Sequence, residues 1–382
     1  MVSKRVKKVS HSGIRAFFDL VLGMPEVISL GVGEPDFVTP WRVREKAITS
    51  LEEGFTSYTS NKGLKVLRED IAYHLKKKYA LRYSPEDEIL ITTGVSEGLD
   101  LALRAILDPK DKVIVVSPHY VAYPALVELN LGEVLFLQTR EKEGFKINTK
   151  KLEQLLVKYK PKAMILNYPS NPTGITYTEN ELKKLWRVLS DKEMLIISDE
   201  IYEDIFYKES HVCFASLKGA KKKVVLLNGF SKGCAMTGFR IGYACGPKEI
   251  IEAMMKIHSF GMLCAPIISQ IAASEALKAK KEINLMVKEY KLRRDFIVKE
   301  LNRIGLHTVM PEGAFYCFSC IEKFKLGDLD FAKALLLQEN VAVIPGSAFG
   351  ISYGGFIRIS YANTLENLKE AVVRIERFLK NL

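Results

Sequence analysis

A regular alternation of short apolar runs with longer segments of helical periodicity, over residues 44–265, constrains the fold more than any other feature. The runs are rich in Val, Ile and Leu, and strands that alternate with helices in this way form parallel sheets covered by helices on both faces. We therefore predict an α/β fold whose large domain, residues 44–265, contains a mostly parallel, helix-covered sheet. Its predicted strands are 89–92, 112–116, 134–137, 163–166, 195–198, 224–227 and 241–245.

The pattern changes after Pro266, where longer and more charged helical segments take over. The predicted elements there are long charged helices over 267–301, strands around 306–309 and 315–319, a helix near 331–338 and a last helix over 365–382. The apolar run 27–30 reads as a strand that joins these elements rather than the central sheet. We therefore predict a smaller α+β domain made of residues 266–382 and of residues 1–43, which include an N-terminal arm.

Composition limits the functions that the chain could have. Its net charge is +11, but the basic residues fall in short scattered clusters, so we expect no nucleic-acid partner and a mild attraction for small anionic substrates. The sequence predicts neither a secretory signal nor a membrane span, which favours a cytoplasmic protein without a membrane partner. The six cysteines lack the density of a disulfide framework, and the single C-x-x-C at 317–320 predicts no metal site.

Polar side chains follow several of the predicted strands. Ligands of open α/β sheets bind outside the carboxyl ends of the strands, and Ser96, Tyr120, Asn171, Asp199 and Lys232 all fall there. The Lys232 amine could form a Schiff base with an aldehyde cofactor. Asp199 directly follows the predicted buried strand 195–198, and a carboxylate that is buried there needs a cationic partner. A protonated pyridine nitrogen would be such a partner.

A phosphate site is predicted beside this lysine. Residues 93–98 open a helix, whose free N–H groups and positive dipole end suit a phosphate, and Ser96 adds a hydroxyl. Ser231 and the bidentate guanidinium of Arg240 could reach the same phosphate. Each residue alone has an ordinary explanation: Ser96 could cap a helix, Tyr120 could pack in the core, and Arg240 could form a surface ion pair. Together they make pyridoxal phosphate the first cofactor to test.

The order and spacing of these residues resemble the class I/II aminotransferase family, the fold type I pyridoxal-phosphate enzymes, and especially the aspartate and aromatic aminotransferases of the bacterial and archaeal branch. The resemblance covers nearly the whole chain. Its matching stretches are GVGEPDF (31–37), YTSNKG (58–63), TTGVSEGLDLAL (92–103), SPHYVAYP (117–124), YPSNPTG (168–174), SDEIY (198–202), NGFSKGCAMTGFRIGYA (228–244), PEGAFY (311–316), PGSAFG (345–350) and IRIS (357–360).

The resemblance implies a role for each matching residue around the cofactor ring. Lys232 would be the Schiff-base lysine and proton shuttle, and Asp199 would pair with the ring nitrogen. Tyr120 would stack on the ring, while Tyr202 and Asn171 would contact its phenolic oxygen. These assignments make Lys232, Asp199 and Tyr202 the candidate catalytic residues.

The resemblance also implies a phosphate cradle formed by the backbone of Val95 with Ser96, Ser231 and Arg240. Tyr58 would enter the cofactor site of the neighbouring subunit, so the family resemblance implies a homodimer.

The family's clamp on the substrate α-carboxylate would be Arg358, aided by Asn171 and by the backbone at Gly33. One residue departs from the family pattern: Gly229 stands where some members carry a serine to the phosphate. A second departure is that Ser96 and Glu97 leave no cation for a side-chain carboxylate where some aspartate-specific relatives have a lysine, which puts acidic-substrate specificity in doubt.

The expected activity is transfer of an amino group from an L-amino acid to a 2-oxo acid, most simply 2-oxoglutarate, by a ping-pong mechanism. The amino donor could be aspartate, alanine or an aromatic amino acid. A β-lyase of the same fold is the alternative in chemistry. A DNA-binding regulator built on this fold is a further alternative, but the matching motifs begin near residue 31 and leave no room for a preceding helix-turn-helix module.

Overall fold

A computed structural model of the chain describes residues 1–9, 24 and 26–382. A seven-stranded sheet lies at its centre, in the order β2-β8-β7-β6-β5-β3-β4. Its strands are β2 (Ile89–Thr92), β3 (Lys112–Ser117), β4 (Glu133–Gln138), β5 (Ala163–Asn167), β6 (Leu195–Asp199), β7 (Val224–Gly229) and β8 (Gly242–Cys245). All seven predicted strands are confirmed, with ends that shift by one or two residues.

The central sheet is parallel except for β8, which runs antiparallel to both of its neighbours, β2 and β7. The carboxyl ends of the other strands therefore meet at one edge, where Asn167 is in register with Asp199 and Asp199 with Leu227. Because β8 is reversed, its first residue rather than its last lies at this edge. The reversal brings Arg240, two residues before β8, to the same place as the ends of the parallel strands.

Helices cover both faces of the sheet, as the alternating pattern predicts. On one face, Leu99 and Ile251 belong to a buried cluster that includes Val113 and Val225 of the sheet. The other face packs in a larger cluster that includes Leu182. The helices are Lys4–Lys8, Trp41–Glu52, Lys65–Tyr79, Val95–Ile106, Ala122–Leu129, Thr149–Tyr159, Glu179–Leu189, Lys248–Gly261, Ile267–Ala276, Lys280–Arg303, Asp328–Glu339 and Leu365–Lys380.

The helices predicted over 267–301 are confirmed, and the chain forms two of them, Ile267–Ala276 and Lys280–Arg303. The two helices have different neighbours. The first is rich in alanine and packs against Trp41–Glu52, whereas the second packs against Leu365–Lys380. The break near Ala279 lets the chain leave one set of neighbours for the other.

A second, four-stranded antiparallel sheet follows in the order β12-β13-β10-β9. Its strands are β9 (His307–Thr308), β10 (Tyr316–Cys320), β12 (Ile344–Pro345) and β13 (Phe356–Ser360). The strands β1 (Ile28–Ser29) and β11 (Val341–Ala342) form a separate parallel pair. This pairing confirms that the run 27–30 joins the carboxyl-terminal elements rather than the central sheet. The domain limits at 44 and 265 stay a prediction, and part of the N-terminal arm, residues 10–23 and 25, lies outside the described residues.

Among the helices of the described residues, none is long and apolar enough to cross a membrane.

Candidate active site

A cavity of about 410 Å³ opens at the edge of the central sheet where the parallel strands end. It brings together residues from both sheets and from the segment around Gly33. The predicted site residues that line it are Gly33, Val95, Ser96, Tyr120, Asn171, Asp199, Tyr202, Ser231, Lys232, Arg240 and Arg358. The predicted residue Tyr58 lies elsewhere, on the surface, with 83% of its area exposed.

Lys232 lies three residues beyond the end of β7, and its amine reaches into the cavity. The Nζ atom donates a hydrogen bond of 2.6 Å to the carbonyl oxygen of Gly33. Burial is the main reason that the pKa of Lys232 is lowered to about 8; nearby Arg358 and Arg240 act in the same direction, and the carboxylates of Glu34 and Asp199 oppose the shift. A substantial fraction of this amine is therefore neutral just above neutral pH, as a base or nucleophile must be.

Asp199 is the last residue of β6, and its carboxylate faces the cavity from a buried position. Its Oδ2 accepts a hydrogen bond of 2.6 Å from the Tyr123 hydroxyl, and Oδ1 accepts one of 3.2 Å from the N–H of Ile201. Burial raises the pKa of Asp199 to about 6, although these hydrogen bonds act against the shift. A cation placed in the cavity would restore the charged form.

Two residues that support Asp199 are missed by the sequence analysis. Tyr123 holds the carboxylate, and Asn167 donates from Nδ2 to the backbone carbonyl of Asp199 at 2.9 Å. Asn167 ends β5, so the rule that selected Asp199 could have found it. Tyr123 lies within a helix, one turn after Tyr120, and the two rings pack edge to face at 5.6 Å.

The predicted phosphate cradle is assembled around the start of the helix Val95–Ile106. Gly94 precedes this helix with φ 78°, and a Cβ atom there would lie 2.7 Å from an Nη of Arg240. A side chain at Gly94 would therefore fill the space that the guanidinium occupies. Ser96 and Ser231 line the same part of the cavity. The free helix N–H groups, two hydroxyls and one guanidinium form a donor set that fits a phosphate group.

The backbone explains why Gly229 stands where some family members have a serine. Its Cβ position would lie 2.9 Å from the Cα of Gly242 and 3.0 Å from the carbonyl oxygen of Ile241. Strands β7 and β8 thus approach too closely there for any side chain. A phosphate at this site would depend on Ser231, Ser96 and Arg240 instead.

Arg358 lies on β13 of the second sheet and is 2% exposed. Its Nη1 donates to Oδ1 of Asn171 at 3.0 Å, and its Nη2 donates to the carbonyl of Gly31. The guanidinium also packs over the Tyr316 ring, 4.5 Å from the ring centre. Asn171, which is predicted to aid Arg358, is therefore hydrogen-bonded to it, and a contact of the Gly33 backbone with a substrate carboxylate stays a prediction. A buried guanidinium at the cavity wall suits a carboxylate ligand.

Tyr202 is buried, and its hydroxyl lies 2.8 Å from the hydroxyl of Tyr316. Tyr316 has no role predicted from the sequence, but it ends the family-like stretch PEGAFY (311–316) and lines the cavity. Its hydroxyl would lie 2.7 Å from a Cβ atom at Gly33, so the close approach requires a glycine there. Tyr316 therefore links Tyr202, Gly33 and Arg358 in one wall of the cavity.

The chain is similar to known proteins over nearly its whole length. Residues 25–375 match the family described as aminotransferase class I and II. The Bacillus subtilis protein YugH is 46% identical over 379 residues, which cover 99% of this chain and 98% of that protein. The aspartate aminotransferase of Pyrococcus abyssi is 39% identical, with 99% and 98% covered. The crystal structure of aspartate aminotransferase from Thermotoga maritima, 36% identical, superimposes with a TM-score of 0.94 and covers 99% of this chain and 100% of that one.

Proposed function

Because the chain belongs to the aminotransferase class I and II family, whose members use pyridoxal 5'-phosphate, we propose that it moves an amino group from an L-amino acid to 2-oxoglutarate by a ping-pong mechanism. The observation that carries this proposal is the convergence of Lys232, Asp199, Arg240 and Arg358 on one cavity. An amine, an acid and two guanidinium groups at these places match the chemical needs of transamination.

The residues that would hold the cofactor lie along one side of the cavity. Asp199 would pair with its ring nitrogen, Tyr120 would lie against its ring, and Arg240 with Ser231 would bind its phosphate, together with Ser96 and the backbone of Val95. When bound, pyridoxal phosphate supplies an electron-withdrawing ring that stabilises negative charge on the substrate α-carbon. Asn171 and Tyr202 would contact its phenolic oxygen.

We propose that the Nζ of Lys232 takes the α-proton of the substrate. Its lowered pKa, about 8, leaves part of the amine neutral near pH 7 to take the proton, and it also makes the conjugate acid strong enough to return that proton. Arg358 would hold the substrate α-carboxylate through its two terminal nitrogens, and Asn171 would keep the guanidinium in place. The fixed carboxylate would orient the α-hydrogen toward the lysine.

We also propose a homodimer in which Tyr58 completes the neighbouring site. Tyr58 is 83% exposed, and the nearby segment carries Phe260, which is 90% exposed, and Leu263. Asn61 connects these segments by a 2.7 Å hydrogen bond to the carbonyl of Leu263. Exposed aromatic side chains clustered in this way are typical of a surface that a second chain covers.

The test is the first half-reaction. Protein loaded with pyridoxal phosphate is mixed with aspartate, alanine or an aromatic amino acid, and the cofactor absorbance is followed as it converts to the pyridoxamine form. Conversion with one donor, followed by reversal with 2-oxoglutarate, is the expected result. No conversion with any amino acid would contradict the proposal, and elimination products would point to the β-lyase chemistry instead.

The matched variant is Lys232→Ala, which keeps the rest of the cavity and removes the amine. We expect its turnover to fall by more than about 10³-fold, since a positioned acid–base group contributes roughly 10²–10⁴-fold and the lysine also anchors the cofactor. Borohydride reduction should fix the cofactor to Lys232 in the unaltered protein and not in the variant.

A further inference from the structure

A hydrogen-bonded pair of side chains, one fully buried and the other partly buried, adjoins the phosphate cradle. His258, on the helix Lys248–Gly261, is fully buried, and its Nδ1 lies 2.7 Å from Oε1 of Glu97. Glu97 belongs to the first turn of the helix Val95–Ile106, next to Ser96 of the cradle. The pair therefore joins the cradle to a second helix, Lys248–Gly261. His258 itself does not line the cavity.

Glu97 holds the cradle turn with its other oxygen. Oε2 accepts a hydrogen bond from the N–H of Thr93, the residue before Gly94. Gly94, which occupies the N-cap position of the helix, has no side chain and makes no capping bond. The carboxylate of Glu97 thus closes residues 93–97 into a loop, and the helix N–H groups left free point toward the candidate phosphate.

The charge of Glu97 makes its orientation important. Burial raises its pKa, but the hydrogen bonds from His258 and Thr93 outweigh burial and bring the pKa below its ordinary value, so the group is an anion. An anion one residue from a phosphate donor would repel the ligand if it turned toward the cavity. His258 keeps it on the far side of the helix.

We propose that His258 is a positioning residue, which acts through Glu97 to keep the turn 93–96 in the shape that binds the cofactor phosphate. The inference rests on the proposed function, because it names phosphate as the ligand of this turn. The proposed role of His258 concerns phosphate binding only. The carboxylate of Glu97 is hydrogen-bonded to Thr93 and His258 and not to Asp199, Lys232 or Arg358.

The side chain of His258 can be tested separately from its backbone. Its carbonyl accepts hydrogen bonds from the N–H groups of Met262 and Leu263, and these bonds persist whatever the side chain is. The variant His258→Leu removes the donor to Glu97. The variant His258→Asn places an amide N–H near the position of Nδ1 and should restore the bond.

The experiment compares two ligands of cofactor-free protein: pyridoxal 5'-phosphate, and pyridoxal, which has the same ring and aldehyde but no phosphate. We expect His258→Leu to weaken the binding of pyridoxal phosphate by about 10–100-fold, the usual effect of leaving a partly buried charged acceptor without its donor. The affinity for pyridoxal should fall by less than about threefold. The variant His258→Asn should bind both ligands nearly as tightly as the unaltered protein does.

The chain offers a matched control in His307, whose Nδ1 lies 2.7 Å from Oε1 of Glu141 but on the surface, at 69% side-chain exposure. His307→Leu should leave both affinities unchanged, because exposed pairs contribute little. If His258→Leu yields no folded protein, Glu97→Gln tests the same turn. The amide oxygen of the glutamine can accept from Thr93 or from His258, but its NH₂ group cannot accept from the other one. The loss of affinity should therefore again be larger for the phosphorylated ligand.

Equal weakening of both ligands by His258→Leu, or no weakening of either, would overturn the proposal, and so would a failure of His258→Asn to restore the preference for phosphate. Failure of the proposed function has a different signature. In that case the unaltered protein would form no borohydride-reducible bond between pyridoxal phosphate and Lys232, whatever residue stands at 258.

Discussion

Asp199 and Glu200 are adjacent acids at the end of β6, and they face opposite sides of the central sheet. Asp199 is 5% exposed and Glu200 is fully buried. Glu200 is surrounded by donors: the Ser198 hydroxyl at 2.7 Å, the N–H of Phe214 at 3.0 Å, His211 Nε2 at 2.6 Å and the Tyr168 hydroxyl at 3.3 Å. The oxygens of Asp199 have two donors, Tyr123 and Ile201.

The difference separates a structural acid from one that is available for chemistry. The protein satisfies Glu200 from within, so its removal should affect folding. Asp199 borders a cavity, and burial leaves its pKa raised to about 6, which means that its charged form lacks part of the stabilisation it needs. A cationic ligand in the cavity would supply that part. We therefore expect the functional acid to be Asp199, which the fold leaves incompletely satisfied.

Among the variants that test this comparison of two acids, Asp199→Asn is expected to have the largest effect, on turnover. The amide keeps the size of the carboxylate but cannot hold a negative charge against a protonated ring nitrogen, so we expect kcat/KM to fall by about 10³-fold, or about 4 kcal/mol. The free energy of unfolding of the cofactor-free protein should not fall at pH 7 and should rise by up to about 3 kcal/mol, because the amide removes a buried charge. If Asp199→Asn kept an activity close to that of the unaltered protein, Asp199 could not be the acid that pairs with the ring nitrogen.

The second expected effect is a pH dependence of stability that belongs to Asp199 alone. Its pKa in the folded protein is raised from 3.8 to about 6, so the folded state holds the proton more tightly than the unfolded state does. The stability contributed by Asp199 is full below about pH 4 and is lost as the pH rises through 6, by about 3 kcal/mol.

The measurement is urea unfolding of the cofactor-free protein and of Asp199→Asn at several pH values from 4 to 8. Other carboxylates titrate in both proteins, so the quantity of interest is the difference between the two curves. It should change between pH 4 and pH 6 and be flat above. A constant difference over the whole range would show that Asp199 has an ordinary pKa.

The third expected effect tests the structural acid. Glu200→Gln replaces one accepting oxygen with an NH₂ group that faces donors, and we expect a loss of about 2 kcal/mol in the free energy of unfolding. The value of kcat/KM should stay within about threefold of the unaltered protein. A large loss of activity with unchanged stability would reverse the roles of Glu200 and Asp199 and contradict the comparison.

The sequence predicted those parts of the site that follow directly from strand ends. Apolar runs mark where β6 and β7 stop, and Asp199 and Lys232 could be placed at the sheet edge from that fact alone. The reversed direction of β8 could not be read from its composition, because an apolar run has the same pattern in either direction. Arg240 was nevertheless placed beside Ser231, through its fit to phosphate.

The rest of the site depends on packing between distant parts of the chain. Arg358 and Tyr316 reach the cavity from the second sheet. Of the two, Arg358 alone has a predicted role, and that prediction depends on the family resemblance. Tyr123 was missed because it lies inside a helix, where an aromatic residue is usually part of the core. Its partner is 76 positions away in the chain, and no local pattern reports such a contact.

The smallest expected effect comes from this missed residue and again contrasts the two acids. Tyr123→Phe removes the 2.6 Å hydrogen bond to Asp199, so the charged carboxylate loses a donor, its pKa rises further, and kcat/KM should fall by about tenfold at pH 7. The loss should lessen as the pH increases and the carboxylate ionises. Tyr168→Phe is the control, because it removes a 3.3 Å hydrogen bond to Glu200 from the other face, and a comparable loss of activity in that variant would mean that the two faces are not independent.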